Sequence, residues 1–277
     1  MESFFSLLEK RVDDCSSLLC IGLDPHTSDL PEKTAGAALD FCRKLVKAGA
    51  PYAAAFKPNA AFFEVLGPEG WAALKAVVEA VQAESDRLGS RIPVILDAKR
   101  GDIASTAEAY AQSAFEKLGV DAITLNPYLG RDSIEPFIKN QEKGVFLLCK
   151  TSNPGSEDIQ DLPVLETGVK TPIPLYVHIA RMAEGWNNLN NVGLVVGATH
   201  PQVMADVRAA VPQMWILAPG IGSQGGELES ALKAGLRMDG KGMLINVSRS
   251  IARAANPAAA AADMRDNIVN VKRELRK

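Results

Sequence analysis

The sequence is poor in the residues that build disulfide scaffolds and metal centres. It has four cysteines, none of them in a Cys-x-x-Cys pair, and three histidines without the spacing of metal ligands. Cys20 and Cys149 lie inside apolar runs, where a thiol behaves as a small hydrophobic side chain. The sequence therefore predicts neither a disulfide framework nor a zinc knuckle, and it offers no set of metal ligands.

The chain also lacks a charge excess and a long uncharged run. Its 30 Lys and Arg residues against 33 Asp and Glu residues give a formal net charge of −3, so nothing draws it generally to nucleic acid or to an anionic membrane. No uncharged run approaches the ~18 residues of a membrane span, and residues 1–19 carry too many charges for a signal peptide. These absences favour a cytoplasmic protein that acts on a small molecule.

Short apolar runs rich in Val, Ile and Leu recur along the whole chain. Runs that are apolar throughout, rather than alternating, are typical of parallel strands buried on both faces, and a spacing of roughly 30 residues is that of one βα unit. Eight such units predict an α/β fold, a (β/α)8 TIM barrel in which residues 1–277 form a single catalytic domain. A doubly wound open sheet is the alternative. The runs cover residues 18–24, 52–58, 93–99, 121–126, 144–150, 192–198, 214–220 and 243–247.

Amphipathic stretches fill the gaps between these runs. They predict helices over residues 69–88, 104–118, 172–188, 201–211 and 257–274. Residues 2–14 predict an extra N-terminal helix that closes the bottom of the barrel. The longest stretch without periodicity, residues 151–171, follows the fifth predicted strand. Loops of that length are usually functional or disordered.

Charged side chains end the first three predicted strands. Asp24 ends the first and Lys57 lies near the end of the second, while the third carries Asp97 and Lys99, with Asp102 just beyond it. In a parallel barrel the active site is built at the C-terminal ends of the strands, and the two-residue period of a strand places Asp97 and Lys99 on the same side. Because desolvating so many charges is costly unless they are paired, we interpret them as a functional cluster.

The neighbours of Lys99 decide which chemistry it can carry out. Two flanking carboxylates, Asp97 and Asp102, favour the charged form of the amine. An ammonium group donates a proton, whereas a Schiff-base enzyme needs a neutral amine. The sequence therefore predicts that Lys99 is a proton donor.

A candidate phosphate site follows the last two predicted strands. Residues 218–226 are rich in glycine, and Arg249 comes directly after the eighth strand. Loops at these positions of a barrel commonly bind phosphate through backbone amides and helix N-termini, and a guanidinium group adds a bidentate fork. The glycines also make residues 218–226 a candidate lid over a bound ligand.

A third polar segment, residues 150–156, follows the fifth strand. Its hydroxyl and amide groups suit the polar edge of a flat heterocycle. The same stretch contains Asn153-Pro154-Gly155, which is equally the signal of a plain turn. Both interpretations remain open from the residues alone.

Residues 97–106 read Asp-Ala-Lys-Arg-Gly-Asp-Ile-Ala-Ser-Thr. They resemble the Asp-x-Lys-x-x-Asp-Ile-x-x-Thr signature of the orotidine 5′-phosphate decarboxylase family. The length and the Asn-Pro-Tyr-Leu-Gly stretch at residues 126–130 are similar to the longer bacterial subgroup of that family. Five further segments occur in the family's order, at residues 23–24, 56–59, 151–155, 219–226 and 248–250.

This resemblance implies an enzyme of de novo pyrimidine synthesis that converts orotidine 5′-phosphate to UMP and CO2 in its last step. It implies a homodimer that uses no metal and no organic cofactor and whose active sites are shared across the interface. Carried over by motif, Lys99 protonates C6 of the pyrimidine, Asp97 lies beside the substrate carboxylate, and Lys57 joins the charges to the ribose. The remaining contacts implied are Asp24 to a ribose hydroxyl, Ser152 to the pyrimidine edge, Gln224 and Arg249 to the phosphate, and Asp102, Ile103 and Thr106 across the dimer.

Two departures from the family and three rival functions accompany this resemblance. The family often has His where this chain has Asn153, and the stretch over residues 151–171 is long in this chain. A 3-keto-L-gulonate 6-phosphate decarboxylase shares the barrel and the Asp-x-Lys-x-x-Asp pattern, but it uses magnesium held partly by an acidic residue after strand two, where Lys57 would repel the metal. A Schiff-base aldolase acting through Lys99 and a non-catalytic nucleotide-binding protein on the same scaffold are the other two.

Overall fold

The computed structural model describes residues 2–168, 170–221 and 228–275. All eight predicted strands are present, each within or close to its apolar run. They are β1 (Leu19–Leu23), β2 (Ala55–Pro58), β3 (Ile95–Arg100), β4 (Ala122–Leu125), β5 (Gly144–Lys150), β6 (Val192–Val196), β7 (Ile216–Pro219) and β8 (Met243–Val247).

The strands form one parallel sheet in the order β2-β1-β8-β7-β6-β5-β4-β3. The two end strands meet, because parallel bridges join Phe56 to Val94 and Asn59 to Asp97, and the Phe56 amide donates to the Pro93 carbonyl at 3.0 Å. The sheet therefore closes into a barrel. The predicted (β/α)8 architecture is confirmed, and an open doubly wound sheet does not fit these contacts.

Burial follows the logic of such a barrel. Every residue of β1, β2, β4 and β6 is buried, as expected for strands covered by helices outside and by packed side chains inside. In β3 the first two residues are buried, and the remaining four are partly buried or exposed. Its C-terminal end therefore lies at the mouth of the barrel.

Helices connect the strands and surround them. The helix predicted over residues 257–274 has the bounds Pro257–Glu274 and begins with Asn256, whose side chain accepts from the Ala259 amide as an N-cap. The helix predicted over residues 104–118 ends in a π-helical turn, Ser113–Leu118. The helices are Phe4–Cys15, Ala35–Gly49, Ala61–Glu64, Gly67–Leu88, Ala104–Gln112, Arg131–Ile138, Glu157–Gln160, Leu175–Trp186, Pro201–Ala210, Leu228–Gly235, Arg249–Ala252 and Pro257–Glu274.

The N-terminal helix Phe4–Cys15 closes the bottom of the barrel, as predicted. Phe5 stacks on Trp215, with ring centroids 6.0 Å apart, and Phe4 meets Phe146 edge-on at 6.2 Å. Gly144 at the start of β5 has no side chain to block this contact, since a Cβ there would lie 2.2 Å from the Phe4 ring. Because this helix covers one end of the barrel, the opposite end is its open mouth.

The segment 151–171 has more regular structure than its lack of periodicity indicates. It contains a 3-10 turn, Pro154–Ser156, and the short helix Glu157–Gln160. Pro163–Val164 then pairs antiparallel with Ile173–Pro174. Each piece spans only two to four residues, which is too short for a periodic pattern to show.

In the part of the chain that the structure describes, no helix combines the length and the apolar composition that crossing a membrane requires.

Candidate active site

Asp97 lies at the centre of a row of charges at the mouth of the barrel. Its Oδ2 accepts a hydrogen bond from Lys57 Nζ at 2.7 Å, and its Oδ1 accepts one from Lys99 Nζ at 2.5 Å. The side chains of Lys57 and Asp97 are 5% and 11% exposed, whereas that of Lys99 is 47% exposed. The structure thus brings together three of the four predicted catalytic residues, with the inner lysine buried and the outer one open to the mouth.

Both members of the buried pair are held in their charged forms. Burial acts to lower the pKa of Lys57, but the negative charges of Asp97 and Asp24 outweigh it and raise that pKa above its usual range. Burial likewise acts to raise the pKa of Asp97, but the two lysines and the hydrogen bonds they donate bring that pKa well below its usual range. The row therefore carries two positive charges around one carboxylate.

This row lines one side of a cavity of about 420 Å³, a size that suits a small-molecule ligand. The opposite side is apolar and is formed by Leu148, Val195 and Leu217, from β5, β6 and β7. A polar edge comes from the segment after β5. The lining residues are Lys57, Asp97, Lys99, Thr124, Leu148, Thr151, Ser152, Asn153, Gln160, Val195, Leu217 and Pro219.

Asp24 lies at the end of β1, beside this row. Its Oδ2 accepts a hydrogen bond from Ser248 Oγ at 2.6 Å, while its Oδ1 is buried and has no hydrogen-bond partner among the described residues. Gly22 makes this approach possible, because a Cβ at that position would lie 2.7 Å from Ser248 Cβ. Asp24 therefore keeps one carboxylate oxygen that can accept from a hydroxyl group.

Asp102, Ile103 and Thr106 do not line this cavity. Asp102 Oδ1 accepts from the Ile103 amide at 2.8 Å, and in the described residues it forms no ion pair with Lys57 or Lys99. Ile103 is 53% exposed, and Thr106 is exposed at the start of the following helix. The expectation from strand spacing that Asp102 joins the row is therefore not met in this chain, because Asp102 lies beyond β3, where its neighbours are exposed.

The predicted ligand-binding residues are distributed around the mouth. Ser152 lines the cavity and packs against Gly197, where a Cβ would lie 3.0 Å from Ser152 Cβ. Arg249 is exposed and begins the short helix that follows β8. Gln224, together with most of the glycine-rich segment, lies outside the described residues.

Two residues of the site were missed by the sequence analysis. Thr124, from β4, lines the cavity and donates to Asp97 Oδ1 at 3.2 Å. Gln160 accepts from the Thr151 amide at 2.8 Å and donates to Thr151 Oγ1 at 3.0 Å. A single polar residue inside the apolar run 121–126 was the available signal for Thr124, whereas nothing in the sequence indicated that Gln160 folds back onto β5.

A site of this composition can stabilise negative charge on a carbon atom and then supply a proton to it. Two ammonium groups provide the positive field, and one of them is open to the cavity. Fold and site together define the class: a (β/α)8 barrel with an acid–base centre at the C-terminal ends of its strands.

The chain belongs to the Orotidine 5′-phosphate decarboxylase / HUMPS family, whose sequence model matches residues 17–264. It is similar to the orotidine 5′-phosphate decarboxylase of Roseiflexus castenholzii, with 48% identity over 266 aligned positions that cover 94% of this chain and 93% of the relative. It is also similar to that of Thermomicrobium roseum, with 46% identity over 285 aligned positions, gaps included, that cover 99% of this chain and 97% of the relative.

Solved structures agree with this assignment. The structure of Leishmania donovani OMP decarboxylase matches with a TM-score of 0.87 and 52% identity, over 98% of this chain and 99% of the other. A Leishmania donovani UMP synthase matches with a TM-score of 0.88 and 54% identity, over 98% of this chain but only 57% of that longer one. The resemblance inferred from the motifs is confirmed.

Proposed function

We propose that this protein decarboxylates orotidine 5′-phosphate to UMP and CO2, the final step of de novo pyrimidine synthesis. Family membership and the names of its relatives support the reaction. The observation that carries the proposal is the position of Asp97 between Lys57 and Lys99, in a cavity whose other side is apolar.

The chemistry that this row supplies matches what the reaction demands. When the bond from C6 to the carboxylate breaks, its electron pair stays on C6, where the ring offers no adjacent electron sink. Fixed positive charge held close to that atom stabilises the carbanion. Lys99 Nζ then transfers one proton to C6, and the neutral amine left behind regains a proton from solvent. Asp97 lies beside the departing carboxylate and holds the Lys99 ammonium in place.

The remaining predicted residues bind the nucleotide around this centre. Arg249 and Gln224 bind the phosphate, Ser152 the pyrimidine edge, and Asp24 and Lys57 the ribose. The free Oδ1 of Asp24 supports its assignment to a ribose hydroxyl. Because the phosphate is remote from C6, its binding energy can organise the charged row before the bond breaks.

The proposal includes a homodimer in which Asp102, Ile103 and Thr106 complete the neighbouring site. The exposure of Ile103 and Thr106 supports it, as do exposed apolar side chains on the loop after the neighbouring strand β4. Tyr128 is 82% exposed and Leu129 is 47% exposed there, and Ile103 is 53% exposed; aromatic and aliphatic side chains of this kind favour an interface. We place the single-domain enzyme in the cytoplasm, and we propose that it needs neither a metal nor an organic cofactor.

The direct test is to mix orotidine 5′-phosphate with purified protein that has been treated with a chelator and to follow the absorbance of the substrate. Loss of absorbance with formation of UMP is the expected result. Three outcomes contradict the proposal: turnover that requires added magnesium, a substrate-linked lysine trapped by borohydride, and tight UMP binding without any decarboxylation. Each of these corresponds to one of the three rival functions.

A further inference from the structure

The strand that carries Lys99 is irregular where the lysine lies. β3 and β4 are in register at Leu96 with Ile123 and again at Arg100 with Leu125. Three residues of β3 therefore face a single residue of β4, which is Thr124. This is a β-bulge, a feature that often re-aims a side chain near an active site.

The bulge places Lys99 in an unfavourable backbone conformation. Its φ is 48°, in the left-handed region that residues other than glycine seldom adopt. Such a conformation persists only where its surroundings impose it. A group in the surroundings of Lys99 must therefore impose this conformation.

Thr124 makes the contacts that can do so. Its Oγ1 accepts from the Ala98 amide at 3.0 Å and from the Lys99 amide at 2.9 Å. It also donates to Asp97 Oδ1 at 3.2 Å. A hydroxyl has two lone pairs and one proton. With both lone pairs used by backbone amides, its proton is directed to the carboxylate.

The Thr124 hydroxyl is buried, so its hydrogen bonds are hard to replace. Thr124 is 1% exposed, so water has little access to replace a lost partner for the two amides. The same Asp97 Oδ1 accepts from Lys99 Nζ at 2.5 Å. One buried hydroxyl thus fixes both ends of the Lys99 residue, its backbone amide directly and its ammonium group through Asp97.

We propose that Thr124 is a positioning residue for the proton donor: its hydroxyl holds the β3 bulge and the Asp97 carboxylate in the geometry that aims Lys99 at the reacting carbon. This rests on the proposed decarboxylase function. Thr124 takes no part in the bond changes. It acts by holding Lys99 and Asp97 in place.

A graded series at this one position tests the inference. Thr124→Ser keeps the hydroxyl, Thr124→Cys keeps the size but offers a weak acceptor, and Thr124→Val keeps the shape without any acceptor. We expect kcat to fall in the order Thr, Ser, Cys, Val. The serine variant should remain within about 5-fold of wild type. The valine variant should lose about 100-fold, the factor that leaving buried amides unpaired at a positioned donor implies.

A second readout separates positioning from general damage to the structure. UMP lacks the carboxylate, so its binding does not depend on the aim of Lys99. We expect its Kd to stay within about 3-fold of wild type in all three variants, so that the loss is confined to kcat. If the valine variant is poorly folded by circular dichroism, the serine and cysteine variants carry the same test, with cysteine about 10-fold or more below serine.

Two results overturn the inference. One is a valine or cysteine variant whose kcat equals that of the serine variant. The other is a parallel loss of kcat and UMP affinity, which indicates a merely structural role. Both results are compared with the turnover of orotidine 5′-phosphate by the wild-type enzyme. An inactive wild-type enzyme contradicts the proposed function instead, so the two failures are distinguishable.

Discussion

Lys57 reaches Asp97 across the seam where the barrel closes. The two residues belong to β2 and β3, the end strands of the sheet, and their side chains meet at 2.7 Å in surroundings that leave them 5% and 11% exposed. A backbone bridge from Asn59 to Asp97 lies at the same place. The pair that organises the proposed chemistry is therefore also a contact that joins the two edges of the barrel.

Removing one partner of this pair should destabilise the protein. Lys57→Met leaves Asp97 buried with only the half-exposed Lys99 to balance it, and breaking a buried ion pair in this way costs about 3 kcal/mol or more. Urea unfolding at neutral pH measures the loss. The double variant Lys57→Met, Asp97→Asn removes the uncompensated charge and should recover part of the stability. A double variant less stable than Lys57→Met contradicts this account.

The same pair predicts how stability depends on pH. The pKa of Asp97 is depressed in the folded state, so its contribution is complete above the unfolded pKa of about 4 and is lost as the pH falls from there through the folded pKa. The pKa of Lys57 is raised, so its contribution is complete below about 10.4 and is lost as the pH rises further.

Urea midpoints at about pH 5 and about pH 3 test the acidic side of this dependence. The wild-type midpoint should fall between the two, and Asp97→Asn should show a smaller fall because it lacks the depressed carboxylate. An equal fall in both proteins contradicts the assignment of this acid sensitivity to Asp97.

The barrel and most of the candidate site could be predicted from the sequence for identifiable reasons. Strands buried on both faces must be apolar throughout, so their runs stand out, and charges at their ends stand out against them. In a regular strand Asp97 and Lys99 would share a face. β3 is irregular between Leu96 and Arg100 and Lys99 has a positive φ, yet the two side chains still form an ion pair.

Other features depend on contacts that are distant in the chain. Gln160 reaches Thr151 only because the segment after β5 folds back, and the bulge at Lys99 depends on a hydroxyl from the neighbouring strand. No periodic pattern carries such information. The role of Asp102 is of the same kind, since the resemblance assigns it to a second subunit.

Arg249→Ala should weaken nucleotide binding and leave the chemical step nearly unchanged. A charged hydrogen-bonding partner of phosphate is worth about 1.5 to 3 kcal/mol, or roughly 10-fold to 150-fold in the Kd of UMP. Uridine, which has no phosphate, should bind both proteins equally. Arg253→Ala is the matched control, because Arg253 follows the same short helix but pairs with Asp29 at 3.1 Å. An unchanged UMP affinity in Arg249→Ala contradicts the phosphate assignment.

The polar edge of the cavity, formed by the segment after β5, should depend on one ion pair between a buried lysine and a half-exposed aspartate. Lys150 is 4% exposed and meets Asp161 at 2.8 Å, which ties this segment to the end of β5. Asp161→Asn leaves the lysine uncompensated, so we expect KM for the substrate to rise by about 10-fold with a smaller change in kcat. Asp158→Asn, a nearby exposed carboxylate, is the control. If both variants have the wild-type KM, the ion pair does not fix the position of the polar edge.

The central claim is that Lys99 supplies the proton to C6, and Lys99→Ala tests it most directly. The measurement is the single-turnover rate of decarboxylation with enzyme in excess, together with the Kd of UMP. Because Lys99 is half exposed and contributes little to the core, the variant should fold and bind UMP within about 3-fold of wild type. Its rate should fall by about 1,000-fold or more, as expected for the loss of a positioned general acid that also supplies charge. A folded Lys99→Ala enzyme that turns over within about 10-fold of wild type contradicts the account.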